Sequence, residues 1–213
     1  MKNLVRIVVV LTSMVAFSQN IDKAKKLLDE VTANAKSQKN IDIEFKYTLQ
    51  NTKEKITQES KGKVIMEGNK YHLSFMGITK IFNGKQTYTI SPEDEEVTIS
   101  KTDDNDPNAI TPNKILNFFQ SGYKYQWDIE QNIKGRIVQY IKLIPISSKD
   151  TRKEILLGID TRTKQIYNLI EVDKNNTRTT LTVVSFKTNQ LLPKNQFTFE
   201  KEKYTNYYIN KVD

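Results

Sequence analysis

A single histidine, His72, and no cysteine leave this 213-residue chain few routes to covalent or metal chemistry. Composition alone excludes a disulfide scaffold, a thiolate metal site, a cysteine nucleophile and a multi-histidine centre. His72 sits between Tyr71 and Leu73 in an alternating run, so its ring belongs on the opposite face from theirs. A serine hydrolase would need a nucleophile on a strained elbow, and there is no Gly-x-Ser-x-Gly. Two acidic runs, Glu93-Asp94-Glu95-Glu96 and Asp103-Asp104-Asn105-Asp106, raise the question of calcium. Counted from Asp103, the sixth and twelfth places of a calcium loop hold Asn108 and Lys114 instead of glycine and glutamate. Both runs read as solvated loops. Carboxylates abound, but nothing singles out two as a glycosidase pair, and no Gly-rich phosphate loop is present. The polar residues therefore point away from an enzyme and imply no cofactor and no metal.

What the chain has in quantity is apolar side chains at fixed spacing. Ile21, Ala24, Leu28, Val31 and Ala35 recur at intervals of three and four after a cap at Asn20, which predicts one amphipathic helix over 21–36. From residue 41 the period becomes two. Ile41, Ile43, Phe45, Tyr47 and Leu49 alternate with Asp42, Glu44, Lys46 and Thr48, a half-buried strand. Further strands are expected over 61–67, 70–76, 78–82, 85–90, 96–101, 123–130, 137–144, 153–160, 165–171, 179–187 and 196–200. Gly68-Asn69 and Asn83-Gly84 mark hairpin turns between them. A second short helix is expected between a cap at Thr111 and Ser121-Gly122. So many strands with one apolar face must curl to bury it, and the two helical faces need somewhere to lie. The expected fold is mainly β with helices (α+β), an antiparallel sheet curled on itself with the helices over its open side; a small barrel would be filled by side chains, and a larger or incomplete one would leave a cavity.

The first residues read as an export signal. Lys2 and Arg6 precede an apolar run from Ile7 to Phe17, and Ala16-Phe17-Ser18 offers small residues at a cleavage site. Residues 1–18 are thus expected to be a signal peptide, leaving 19–213 as a single domain. No cysteine follows the site to carry a lipid anchor, so the mature protein is expected to be soluble beyond the inner membrane. Without Lys2 and Arg6 the net charge falls from +8 to +6. The lysines are spread along the chain without a concentrated patch, which argues against nucleic acid and leaves room for a weak attraction to anionic lipid.

The order of these segments resembles the periplasmic outer-membrane lipoprotein carrier family (LolA-like), in a Bacteroidetes-type style of composition. The segments that carry the resemblance are the leader and helix, Gly62-Lys63-Val64, the hairpin into the Tyr71/Leu73 strand, Asn83-Gly84-Lys85-Gln86-Thr87-Tyr88 and Phe197-Thr198-Phe199. The resemblance implies an unclosed antiparallel β-barrel with a helical lid over an apolar cavity, in a periplasmic carrier that takes up lipoprotein acyl chains at the inner membrane and delivers them to the outer one. It implies acylated lipoproteins and an inner-membrane lipoprotein-releasing transporter as partners, with a monomeric carrier. Where well-studied members have Arg-Pro after the second strand, this chain has Gly68-Asn69, which leaves the handover step and the outer-membrane acceptor open. On this reading the acyl cavity would be lined by Phe45, Tyr47, Leu49, Val64, Met66, Tyr71, Leu73, Phe75, Tyr125 and Trp127. The lid would present Leu27, Leu28, Val31, Ile115, Phe118 and Phe119. Alternation shows that the strand residues share a face; ordinary core packing is the competing reading for each of them. The alternative function is a periplasmic lipid- or glycolipid-binding or sensing module on the same fold.

Overall fold

A computed structural model of the protein describes residues 20–101 and 116–212. The signal-peptide reading of residues 1–18, Ile115 and the Asp103–Asp106 run lie outside the described residues. A helix, α1, covers residues 20–36, and twelve strands follow. They are β1 (Asn40–Asn51), β2 (Ile56–Glu67), β3 (Lys70–Phe75), β4 (Ile78–Phe82), β5 (Gln86–Ser91) and β6 (Glu96–Lys101). Then come β7 (Tyr123–Ile133), β8 (Arg136–Pro145), β9 (Arg152–Asp160), β10 (Gln165–Asp173), β11 (Thr177–Thr188) and β12 (Tyr208–Val212). They pair in the order β12-β6-β5-β4-β3-β2-β1-β11-β10-β9-β8-β7, an open order in which the end strands have one neighbour each. The fold is therefore mostly β with one α-helix, an unclosed and largely antiparallel sheet; β12 departs from the pattern by running parallel to β6. The chain divides into two compact units, Met1–Asn34 with Phe119–Thr179 and Ala35–Phe118 with Thr180–Asp213.

In the first unit, α1 buries Ala24, Leu27, Leu28, Val31 and Thr32. This is the expected stripe, except that it begins at Ala24: Ile21, in the first turn, is 45% exposed. The helix end is clipped to the β9–β10 turn. Asn34 Nδ2 donates to the carbonyls of Thr163 (3.1 Å) and Lys164 (3.3 Å), and Lys164 pairs with Glu30 at 2.8 Å. That turn is itself built by buried Asp160, whose carboxylate accepts from the backbone of Arg162 and Thr163. The sheet of this unit is apolar on both faces. Ile141, Leu143, Ile155, Leu157 and Ile159 are wholly buried, and on the other side Val138, Tyr140 and Ile170 form a smaller cluster. Such continuous runs blur the alternation that a strand with one wet face would show.

In the second unit, β1 and β2 pair in unbroken register from Asn40↔Glu67 to Asn51↔Ile56. One face of this hairpin is polar and carries ion pairs, Lys46 with Glu59 at 2.7 Å and Lys63 with Asp42 at 3.1 Å. The other is the apolar face foreseen from alternation. Beyond β3 the polar side acquires a cover of its own. Residues 189–207 contain no strand: Gln196–Glu200 runs through turns, closed by bonds such as Thr198 N to Asn195 O (3.0 Å), where a strand was expected. The two-residue rhythm of Phe197-Thr198-Phe199 misled because Phe199 uses its ring to cover the sheet instead of its backbone to extend it. Phe199 stacks on Tyr88 (4.7 Å between centroids) and on Tyr204 (5.3 Å). With Tyr207 and Ile209 these rings bury Ile81, Ile90 and Val97. Of the second short helix, residues 111–115 lie outside the described residues; the described part holds a 3-10 turn, Phe118–Gln120.

Candidate functional site

The candidate site is the apolar face of the second unit. Eight of the ten strand residues singled out for a cavity belong to β1–β3, and the register places them side by side. Phe45 opposes Gly62, Ile43 opposes Val64 and Ile41 opposes Met66; in turn Met66 opposes Tyr71, Val64 opposes Leu73 and Gly62 opposes Phe75. Paired residues of an antiparallel ladder share a face, so these side chains form one surface. Burial along it is graded. Ile41, Ile43, Phe45, Val64, Met66, Tyr71 and Phe82 form a buried cluster, and Leu73 and Phe75 pack against it only partly buried. Tyr47 and Leu49 are likewise half-buried. Phe75 is central to this open end, its ring 5.5 Å from that of Phe45 and 5.3 Å from that of Tyr47, in tilted and edge-on contacts. Half-buried aromatic side chains at the margin of a packed apolar cluster are adaptable contact area for a hydrocarbon ligand.

Gly62 shapes the face. A Cβ at this position would lie 2.3 Å from the tip of the Phe45 ring, so the absence of a side chain is what lets that ring cross β2. Beyond the residues expected to line a cavity, the face takes in others. Ile41, Ile43 and Phe82 join the cluster, as do Leu181, Val183 and Phe186 of β11 and Leu116. The signal for Leu181 and Val183 was present in the alternation of β11, but a strand that is polar at every second place shows nothing about its partner.

Tyr125 and Trp127 belong to the first unit. They oppose Leu143 and Ile141, so both face the side on which those residues are buried. Tyr125 Oη donates to the carbonyl of Phe119 at 2.8 Å, and Gln120 Nε2 donates to Thr32 Oγ1 of α1 at 3.0 Å. Burial, with a smaller contribution from the charge of Asp29, pushes the Tyr125 phenol above its ordinary value, so it stays a neutral donor. Of the residues assigned to a lid, Leu27, Leu28, Val31 and Phe119 are buried in the described structure and Phe118 is half-buried. His72 stands on the opposite face of β3, as alternation required. Its Nδ1 lies 3.1 Å from the Gln196 carbonyl and 3.2 Å from Gln196 Nε2, beside a cleft of about 210 Å³ that also takes in Glu200, Lys203 and Tyr204. Among the described residues, no cluster of three His, Asp or Glu is placed to hold a metal ion.

The family model described as outer membrane lipoprotein carrier protein LolA matches residues 36–200. The chain belongs to the LolA family. No curated protein matches its sequence. Among solved structures, an uncharacterized conserved protein from Thermus thermophilus is similar over 89% of this chain and 99% of its own, at 14% identity and a TM-score of 0.57. LprF from Mycobacterium bovis is similar over 81% and 96%, at 12% identity and a TM-score of 0.50. A LolA superfamily protein from Nitrosomonas europaea aligns over 83% and 97%, at 13% identity and a TM-score of 0.44. At such identities the likeness of the first two is one of fold. Among the described residues no helix is long and apolar enough to cross a membrane.

Proposed function

We propose that this protein is a periplasmic chaperone that binds the acyl chains of lipoproteins on its apolar face and carries them from the inner to the outer membrane. The observation that supports this most is family membership over a span that contains the whole β1–β3 face. The physical demand is clear. Each acyl methylene exposed to water costs about 0.8 kcal/mol, so a lipidated protein cannot cross an aqueous space without cover. The carrier needs only to compete with bilayer at each end, which favours an adaptable, partly open face over a tight socket. On this reading Phe45, Tyr47, Leu49, Val64, Met66, Tyr71, Leu73 and Phe75 of the second unit contact the chains. Phe118, two residues beyond Leu116, which packs against that face, acts as cover within the same unit. Residues 1–18 are the export signal, residues 19–213 act as one carrier domain, and an inner-membrane releasing transporter loads a monomer.

The test is capture of ligand from envelope extract on the tagged protein, read by mass spectrometry. Triacylated N-terminal peptides are expected; free phospholipid or glycolipid without them would move the assignment to a lipid-binding or sensing module. In the same assay Phe75→Asp and Phe118→Asp should lower recovery at least tenfold from protein that its unfolding curve shows to be folded at the assay temperature; Phe75→Asp, which gives up two ring contacts, should cost about 3 kcal/mol of stability. Phe119 is unsuited to this test, because it is completely buried and a charge there would unfold the protein.

A further inference from the structure

One end of the second unit carries a feature that acyl-chain binding does not use. Leu191 is fully exposed, with 101% of its reference surface in water. The chain that presents it is firmly held. Asn189, at φ +56, donates its backbone N–H to the Asn40 carbonyl (3.0 Å), while its side chain accepts from Lys39 N (2.8 Å) and donates to Gln38 Oε1 (2.8 Å). Gln190 N donates to Asn40 Oδ1 and its carbonyl accepts from Asn40 Nδ2, both at 2.9 Å, and Asn40 is buried. A leucine fixed in water on so well bonded a base does nothing for the fold. Beside it lies a cleft of about 340 Å³ lined by Lys39, Lys70 and Lys194, with Glu67 as its single acidic residue. None of the three lysines is paired with a carboxylate of a described residue, although ion pairs form elsewhere on this unit. The Asn83-Gly84 turn adjoins, with Lys70 Cε 3.9 Å from where a Gly84 Cβ would stand.

We propose that this end docks on the surface of an anionic phospholipid bilayer, with Leu191 entering the interface and Lys39, Lys70 and Lys194 facing the headgroup phosphates. An apolar tip beside three lysines that have no carboxylate partner among the described residues is complementary to that surface and to no neutral one. Lysine stems can lie along the acyl boundary while the ammonium groups stay wet. A single leucine and a few lysines give weak, reversible contact, as a protein that must leave again requires. The proposal does not rest on the acyl-chain reading, since none of these residues belongs to the β1–β3 face.

The experiment is co-sedimentation of the full chain with vesicles of phosphatidylcholine, with and without phosphatidylglycerol. Its N-terminus is first established by mass spectrometry and is the same for every variant. Binding is expected to the phosphatidylglycerol vesicles and to fall steeply with added salt. Leu191→Asp should weaken it about tenfold, the loss of one buried leucine. The triple change K39Q, K70Q and K194Q should weaken it about a hundredfold, at roughly fivefold per lysine. Leu191 packs against nothing, so its loss cannot be ascribed to misfolding. Equal binding to neutral vesicles, or parent-like binding of Leu191→Asp, overturns the proposal. Loss in the lysine variant alone would mean that the lysines meet the vesicle by charge without Leu191 entering it, and overturns it too.

Discussion

At the scale of residues, two positions show how much hangs on a single side chain. Gly62 is the clearest. Its extended backbone tolerates any residue, but a Cβ would collide with the Phe45 ring. Gly62→Ala should therefore cost about 1–3 kcal/mol of stability, the usual penalty for overpacking, and should also change ligand uptake, because Phe45 must leave its place. Denaturant unfolding and lipid binding measured together check both. Asp150 is the second. Its carboxylate accepts from Arg152 N and Nε at 2.9 Å and from Nη2 at 2.7 Å. Those bonds hold the Asp150 acid below the ordinary carboxylate value, with the side-chain bond to Arg152 the leading cause and burial opposing it. An acid lowered on folding contributes stability above its unfolded value, near 3.8, and loses it as pH falls through the lower folded one. Asp150→Asn should thus cost about 1 kcal/mol at neutral pH, and the gap should close as the solution is acidified below that range. A gap that is the same at every pH would show that the carboxylate charge is not involved.

At the scale of elements, most strands could be read from the sequence and the cover of the β4–β6 side could not. The α1 stripe and β1 were legible because each has one wet face, which forces a clean period. The hairpins at Gly68-Asn69 and Asn83-Gly84 were legible because the turns need residues tolerant of positive φ; Gly68 stands at +58 and Gly84 at +96. The segment after β11 was not, because aromatic residues that lie flat on a sheet have the same composition as those that form one. β12 was missed for the opposite reason: Tyr208–Val212 is short, and parallel pairing to β6 is decided entirely by tertiary contacts. For the site, the sequence located the shared face of β1–β3, but not the gradient from buried Phe45 to half-exposed Tyr47, which depends on what packs above. The aromatic cover should be a structural element of its own. Phe199→Ala removes two stacked contacts and should cost about 3 kcal/mol while leaving acyl-chain binding by the remaining folded protein unchanged. Loss of binding without loss of stability would place Phe199 in the site instead.

At the scale of the whole molecule, the sheet is open, and its order pairs strands far apart in the chain. β1 adjoins β11 and β6 adjoins β12, so neither neighbour can be in place before most of the sequence has been made. Topologies of this kind fold in milliseconds to seconds, not microseconds. The parallel partner of β6 bears on events before folding is complete. β6 ends at Lys101 and β12 begins at Tyr208, so about a hundred residues separate the edge from the strand that shields it. At 5–20 residues per second that is roughly 5–20 s of synthesis during which an unpaired β6 edge is an adhesive template for other chains. A nascent chain with such an interval depends on being held unfolded, or out of reach of its siblings, until its far end arrives. Crowded overexpression should therefore fail first through clumping of incomplete chains, long before the finished protein reaches its own solubility limit.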